Sequence, residues 1–198
     1  LDRYVELAPE DPRAYYLRGL TLLELKDYEG AIADFEQAAR LDAGFADAYY
    51  QTGRTQMALN RVDQAIENFG RAIQLDAGHT KAYNDLGIAY AQLQDIPRAI
   101  ETFGQVLARE PDHVNALINR GIAYAMTGDY PSAVADLDRA VELEPENPEA
   151  LFNRALAYSL WGNPSRAIED FQTVLEIGED PALLRQAQEQ LEQLLGQG

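Results

Sequence analysis

A pattern with a period of 34 residues runs through this chain, opening at Pro12, Ala46, Thr80, Val114 and Pro148, with Ala182 opening a sixth copy that does not complete. One such copy is too small to enclose a core, so a period of this size marks an array in which each copy buries its apolar face against its neighbours. Function is then expected on the surfaces of the array, in holding something. Aligned copies carry Gly19, Gly53, Gly87, Gly121 and Ala155 at the eighth place, and Ala31, Ala65, Ala99, Ala133 and Ala167 at the twentieth. Small residues belong where two antiparallel helices approach most closely, and large ones beside them fill the layer. Tyr15, Tyr49, Tyr83, Leu117 and Leu151 hold the fourth place, with Phe35, Phe69, Phe103, Leu137 and Phe171 at the twenty-fourth.

Within each copy the apolar residues recur every three or four positions. The rhythm breaks once near the middle, at segments such as Lys26-Asp27-Tyr28, Gly128-Asp129-Tyr130 and Gly162-Asn163-Pro164. This predicts helix, short turn, helix. Asp11-Pro12, Asn147-Pro148 and Asp180-Pro181 each place a side-chain acceptor at an N-cap and a proline at the first helical position. Pro97, Pro131 and Pro164 sit near the starts of second helices, where a missing N–H costs little.

An aromatic residue or Leu, then Gly, then Tyr90, Tyr124 or Tyr158, then Ala, Phe, Ala and Pro111 or Pro145, five times in register, resembles the tetratricopeptide repeat. The resemblance covers nearly the whole chain. It implies an all-α fold, a right-handed α–α superhelix of five helix-turn-helix repeats over 12–45, 46–79, 80–113, 114–147 and 148–181, plus a C-terminal capping helix over 182–198. Residues 1–11, with Leu1, Tyr4, Val5, Leu7 and Pro9, fit the second helix of a truncated preceding repeat. The chain thus opens inside a repeat and without Met, as expected of a fragment of a longer protein. In the last segment Leu183, Leu184, Ala187, Leu191, Leu194 and Leu195 fall on one side and Arg185, Gln186, Gln188, Glu189, Glu192 and Gln193 on the other, as a solvating cap requires.

Composition narrows the function classes. At 46% hydrophobic and 25% charged the chain is ordinarily globular. It has no Cys, which excludes disulfides, thiolate metal sites and cysteine nucleophiles but leaves the compartment open, with cytoplasm slightly ahead of periplasm. A net charge of −17 repels phosphate backbones and argues against nucleic acid as partner. No Ser-His-acid order or Gly-rich phosphate loop is present, so no catalytic residues and no cofactor are assigned and the chain is read as a non-enzyme. His79 and His113 are too few for a metal site and are expected as exposed loop residues. Trp161 is expected to plug a gap between helices.

The resemblance also implies a concave groove lined by the second, fifth, sixth, ninth, twelfth and thirteenth places of the first helices. Those places hold Arg13, Arg54 and Lys81 against Glu24, Asp47, Asp85 and Glu149, close to neutral, so the acidity lies elsewhere. The predicted peptide-binding groove comprises Tyr16, Leu20, Tyr50, Gln51, Arg54, Lys81, Asn84, Ile88, Asn115, Ile118, Asn119, Ile122, Phe152, Asn153 and Leu156. Amides there can donate to and accept from a peptide backbone while apolar hollows between them select side chains. The family's clamp of two Lys, an Arg and two Asn for a chaperone's EEVD-type C-terminal tail is missing. Lys81 is followed four residues on by Asp85, and Arg13 by Leu17, where a second basic residue would be required.

The expected function is a non-catalytic protein–protein interaction scaffold holding a peptide or partner segment. The alternatives are the targeting arm of a larger enzyme and an envelope lipoprotein adaptor. Runs such as LNRGIAYAMTGDYPSAVADLDRAVELEP resemble bacterial, particularly cyanobacterial, arrays.

Two further patterns recur. Arg18, Arg120 and Arg154 at the seventh place accompany Asp34, Asp136 and Asp170 sixteen residues later, whereas Thr52 accompanies Asn68 and Leu86 accompanies Thr102. Residues that arrive and leave together predict an ion pair between the two helices. Gly70 and Gly104 share an outer place on second helices, where a homo-oligomer contact through the convex face of repeats two and three is expected.

Overall fold

A computed structural model describes residues 1–196. Among them the chain is helical without strands: α1 (Asp2–Leu7), α2 (Pro12–Glu24), α3 (Tyr28–Leu41), α4 (Ala46–Ala58), α5 (Val62–Leu75), α6 (Thr80–Gln92), α7 (Ile96–Arg109), α8 (Val114–Met126), α9 (Tyr130–Leu143), α10 (Pro148–Leu160), α11 (Pro164–Ile177) and α12 (Pro181–Gly196). The even-numbered helices from α2 to α10 start at the five repeat openings read from the sequence, and α12 starts one residue before the sixth. Gln197 and Gly198, included in the predicted capping helix, lie outside the described residues.

Local chemistry sets these boundaries. Asp11, Asn147 and Asp180 accept hydrogen bonds from Arg13 N, Ala150 N and Ala182 N at 2.9, 3.0 and 2.9 Å. His79 and His113 are also caps, with Nδ1 accepting from Ala82 N at 3.1 Å and Ala116 N at 3.2 Å. That corrects the expectation of exposed loop histidines, since His79 is 9% exposed. The tight turn inside each repeat needs a left-handed residue at one fixed place, taken by Lys26, Asn60, Gln94, Gly128 and Gly162 at φ of 61, 58, 61, 81 and 82°. Only the last two adopt it without a Cβ penalty. Trp161, at a helix C-cap, is 48% exposed and plugs nothing.

The chain divides into two compact units, residues 1–102 and 103–198. In the first, α2 packs on α3, α3 on α4, α4 on α5 and α5 on α6. In the second the succession runs α8, α9, α10, α11, α12. The close approaches are where the small residues predicted them. A Cβ added to Gly19 or Gly53 would lie 2.6 or 2.7 Å from the ring of Phe35 or Phe69, and one on Gly121 would lie 2.7 Å from Leu137 Cγ. Ala31, Ala65, Ala99, Ala133 and Ala167 are wholly buried.

The predicted ion pairs form and are bidentate. Arg18 donates to Asp34 at 2.7 and 2.7 Å, Arg120 to Asp136 at 2.7 and 2.8 Å, and Arg154 to Asp170 at 2.8 and 2.7 Å. Each ties the first helix of a repeat to the second. Two of the guanidinium groups also reach the preceding second helix, Arg18 to Asp2 at 3.2 Å and Arg154 to Asp138 at 2.9 Å. The residue equivalent to Asp138 for Arg120 is Gly104, where an added Cβ would lie 3.8 Å from Arg120 Nη1. Gly104 therefore sits where a third arm could close. Gly70 has nothing within 4 Å of an added Cβ.

Two stability predictions follow from these pairs. Arg120→Met strands the nearly buried Asp136 carboxylate and should lower stability by about 3 kcal/mol, read as a fall in the urea midpoint. An unchanged midpoint would remove the clamp from the fold's energetics. Gly104→Asp should raise stability by about 1 kcal/mol, by replacing a helical glycine and giving Arg120 the partner that Arg154 has.

Candidate functional site

The predicted groove residues fall on the first helices, α2, α4 and α6 in the first unit and α8 and α10 in the second. In the first unit Tyr16, Leu20, Gln51 and Asn84 are half-buried, and Arg54, Lys81 and Ile88 are exposed. In the second, Asn115 is exposed and Asn119, Ile122, Asn153 and Leu156 are half-buried.

Three predicted residues are not on an open wall. Tyr50, Ile118 and Phe152 are 7, 2 and 8% exposed. Where the twenty-fourth place is Phe, an aromatic fifth place rests on its ring. Tyr16 lies 5.6 Å from Phe35, Tyr50 6.0 Å from Phe69 and Phe152 5.6 Å from Phe171, centroid to centroid. These side chains are part of the packing between the two helices of their repeats.

On the first unit a polar cluster gathers around α4. Tyr50 donates its hydroxyl to Asp85 at 3.0 Å, and the Asn84 amide donates to the same carboxylate at 3.2 Å. Arg54 Nε lies 3.9 Å from Asp85, a loose pair. His79 stacks 4.7 Å from the Tyr50 ring, with Nε2 3.3 Å from Asp47 Oδ1 but not aligned for a hydrogen bond. Two hollows flank Arg54. One, of about 280 Å³, is lined by Arg54, Met57, Phe69, Asp85 and Ile88; the other, of about 220 Å³, by Leu23, Tyr28, Arg54, Thr55 and Ala58. Phe69 and Tyr28 come from second helices, so a pattern read along first helices could not find them. Their signal was the bulk at the start and middle of α3 and α5.

On the second unit the surface is plainer. Asn153 spends one amide hydrogen on Glu149 O of its own helix at 2.8 Å. Met126, Leu160 and Trp161, at first-helix ends, are 51, 59 and 48% exposed. Among the described residues no group of three His, Cys, Asp or Glu side chains is placed to hold a metal, and no helix is long and apolar enough to cross a membrane.

Comparison with known proteins agrees with this architecture. Tetratricopeptide repeat models match residues 12–45, 45–103, 84–143 and 129–192. No curated protein sequence matches. Among solved structures, YrrB, a tetratricopeptide repeat protein with an unusual peptide-binding site, is 21% identical, with 95% of this chain and 97% of that one covered and a TM-score of 0.77. MamA from Desulfovibrio magneticus RS-1 is 20% identical over 84% of this chain and 94% of that one, with a TM-score of 0.79. A tetratricopeptide repeat protein from Parabacteroides merdae is 17% identical over 93% and 73%, with a TM-score of 0.83. At these identities the likeness is one of fold.

The cluster around α4 has a titration signature. Burial pushes the Tyr50 phenol above its ordinary value, and the Asp85 carboxylate that accepts its hydroxyl pushes further in the same direction. The neutral phenol is therefore favoured in the fold. The stability it contributes is complete below the unfolded value of about 10 and is lost as pH rises from there toward the raised folded value. Thermal unfolding between pH 9 and 11 should show a steeper loss for the wild-type chain than for Tyr50→Phe, and parallel losses would contradict this.

Proposed function

The chain belongs to the tetratricopeptide repeat family, and we propose that it is a scaffold whose first-helix faces hold a peptide or partner segment. The observation that supports this best is the pair of hollows beside Arg54, which open beside exposed Arg54, Ala58 and Ile88 and are otherwise walled by half-buried or buried side chains such as Met57, Leu23, Tyr28 and Phe69. Clefts with apolar walls and a few directed polar groups are the usual form of a recognition site. On the second unit, amides alternating with Ile122 and Leu156 offer donors and acceptors to a backbone and contacts to side chains. The excess of acidic residues opposes nucleic acid as the occupant, because a polyanion near this surface is repelled before contact.

The groove is built for a neutral backbone and not for an acidic tail. Asp85 stands where a carboxylate clamp needs a cation, so a C-terminal carboxylate arriving there meets like charge. A scaffold of this kind needs no chemistry of its own and acts by bringing a partner segment into register.

The test uses the whole chain as bait in an extract of the source cell. Asn119→Ala with Asn153→Ala should reduce retention of the partner at least about tenfold, or about 1.4 kcal/mol, while the circular dichroism and melting temperature stay near wild type. Ile118 and Phe152 are left unaltered because they are core residues and their replacement would report on folding. Equal retention of partner by the wild type and the double variant would refute the assignment of this face.

A further inference from the structure

Resting on the reading that first-helix faces hold a partner segment, we propose that Arg54 is the post of a two-hollow subsite for an extended peptide carrying a large apolar side chain on each side of it. Arg54 interrupts a pattern. The ninth place is Leu20, Ile88, Ile122 and Leu156 in the other repeats, and only here is it charged. The Arg54 guanidinium lies over the Tyr50 ring, 5.9 Å from the centroid, but the side chain is 56% exposed and that contact uses none of its N–H donors. Its closest carboxylate oxygen, on Asp85, is 3.9 Å away, beyond hydrogen-bond reach, and is already served by the Tyr50 hydroxyl at 3.0 Å. A guanidinium carries five donors in a fixed fork, and here they are available to a visitor.

The two hollows meet at this residue. The larger has the buried Phe69 ring as its floor and Met57 and Ile88 as walls. At about 280 Å³ it has the room of roughly nine waters at about 30 Å³ each, enough for one large side chain. The smaller, bounded by Leu23 and Tyr28 on the other side of Arg54, has about 220 Å³, or roughly seven waters. The rim of the larger hollow carries opposite charges, Arg54 and Asp85, which complement the two halves of a peptide unit. Arg54 donates to a carbonyl, and Asp85 accepts from the N–H of the residue whose side chain fills the hollow. That residue is thereby held at three points.

An extended segment suits this arrangement better than a helix. A helical segment has its carbonyls and N–H groups bonded internally and would leave the Arg54 fork unmatched and the remaining acceptor capacity of Asp85 unused. An extended chain leaves its carbonyls and N–H groups free to bond and sends alternate side chains to the same face, where two of them can enter the two hollows. Such a peptide needs no charge of its own, because the rim is already balanced.

The experiment is selection of random twelve-residue peptides displayed on phage against the whole chain, followed by fluorescence anisotropy of the enriched peptides with wild type and variants. Enriched sequences should share two large apolar residues at a fixed short separation. Arg54→Met, which keeps the bulk and removes the donors, and Ile88→Asp, which puts charge into a wall, should each weaken binding about tenfold or more, with Arg54→Lys recovering part of the loss. Both positions are exposed, and unchanged melting temperatures would show that the variants fold. If these variants bind as wild type while Asn119→Ala with Asn153→Ala weakens the same peptides, the subsite is overturned and the scaffold reading stands. If none of the variants changes affinity, or no sequence is enriched, both are overturned.

Discussion

The approach of each first helix to its second, at a residue without a side chain, is the constraint from which the rest of the structure follows. At Gly19 and Gly53 the facing phenyl ring occupies the space a Cβ would need, and at Gly121 the Leu137 side chain does the same. Closing that gap lets the wholly buried ring of Phe35 or Phe69 reach across to the opposite helix, where burial of an aromatic side chain contributes roughly 1.5–3 kcal/mol. Ala155 at the fifth repeat, also wholly buried, holds the same place with a methyl group. Because the contact recurs every 34 residues, a single solution to one packing problem is applied down the chain.

Polar ties then distinguish the repeats from one another. The Arg–Asp pairs of the first, fourth and fifth repeats sit at the edge of the apolar layer, with Asp34, Asp136 and Asp170 nearly buried. Full bidentate bonding is what makes such burial tolerable, since a carboxylate there without its guanidinium would be stranded. The second repeat manages without charge. Thr52, at the seventh place, bonds back to Ala48 O of its own helix at 2.9 Å, and Asn68 donates instead to Gln56 at the eleventh place at 2.9 Å, so the bridge between helices is made from amides one turn further along. An ionic bridge in three repeats and a neutral one in the second fit the view that the bridge orders the hairpin more than it stabilises it.

Much of this was legible before any coordinates. Helix starts could be read because Asp11, Asn147 and Asp180 are followed by proline, and cap and ring chemistry leave little choice there. The ion pairs could be read because their two ends vary together. The burial of individual first-helix residues was not legible. Periodicity says which side of a helix a residue occupies, yet Tyr50, Ile118 and Phe152 are buried, and for Tyr50 and Phe152 the ring nineteen residues later supplies the cover. His79 escaped for a different reason, because an imidazole caps a helix only as a neutral acceptor through Nδ1, a role its residue type does not advertise.

The division between packing and recognition falls along the places of the repeat. The fourth, eighth, twentieth and twenty-fourth places are nearly constant because the hairpin contact admits few answers, and a residue that is constant for packing has no freedom to choose a partner. Freedom lies at the sixth and ninth places, which hold Leu17, Gln51, Asp85, Asn119 and Asn153, and Leu20, Arg54, Ile88, Ile122 and Leu156. These point away from the hairpin seam, so each repeat can vary them at little cost to the fold. In the second repeat and its neighbour that variation has set a cation, Arg54, and an anion, Asp85, beside the constant Phe69. An array of near-identical hairpins thereby acquires a local identity without altering the contacts that hold it together.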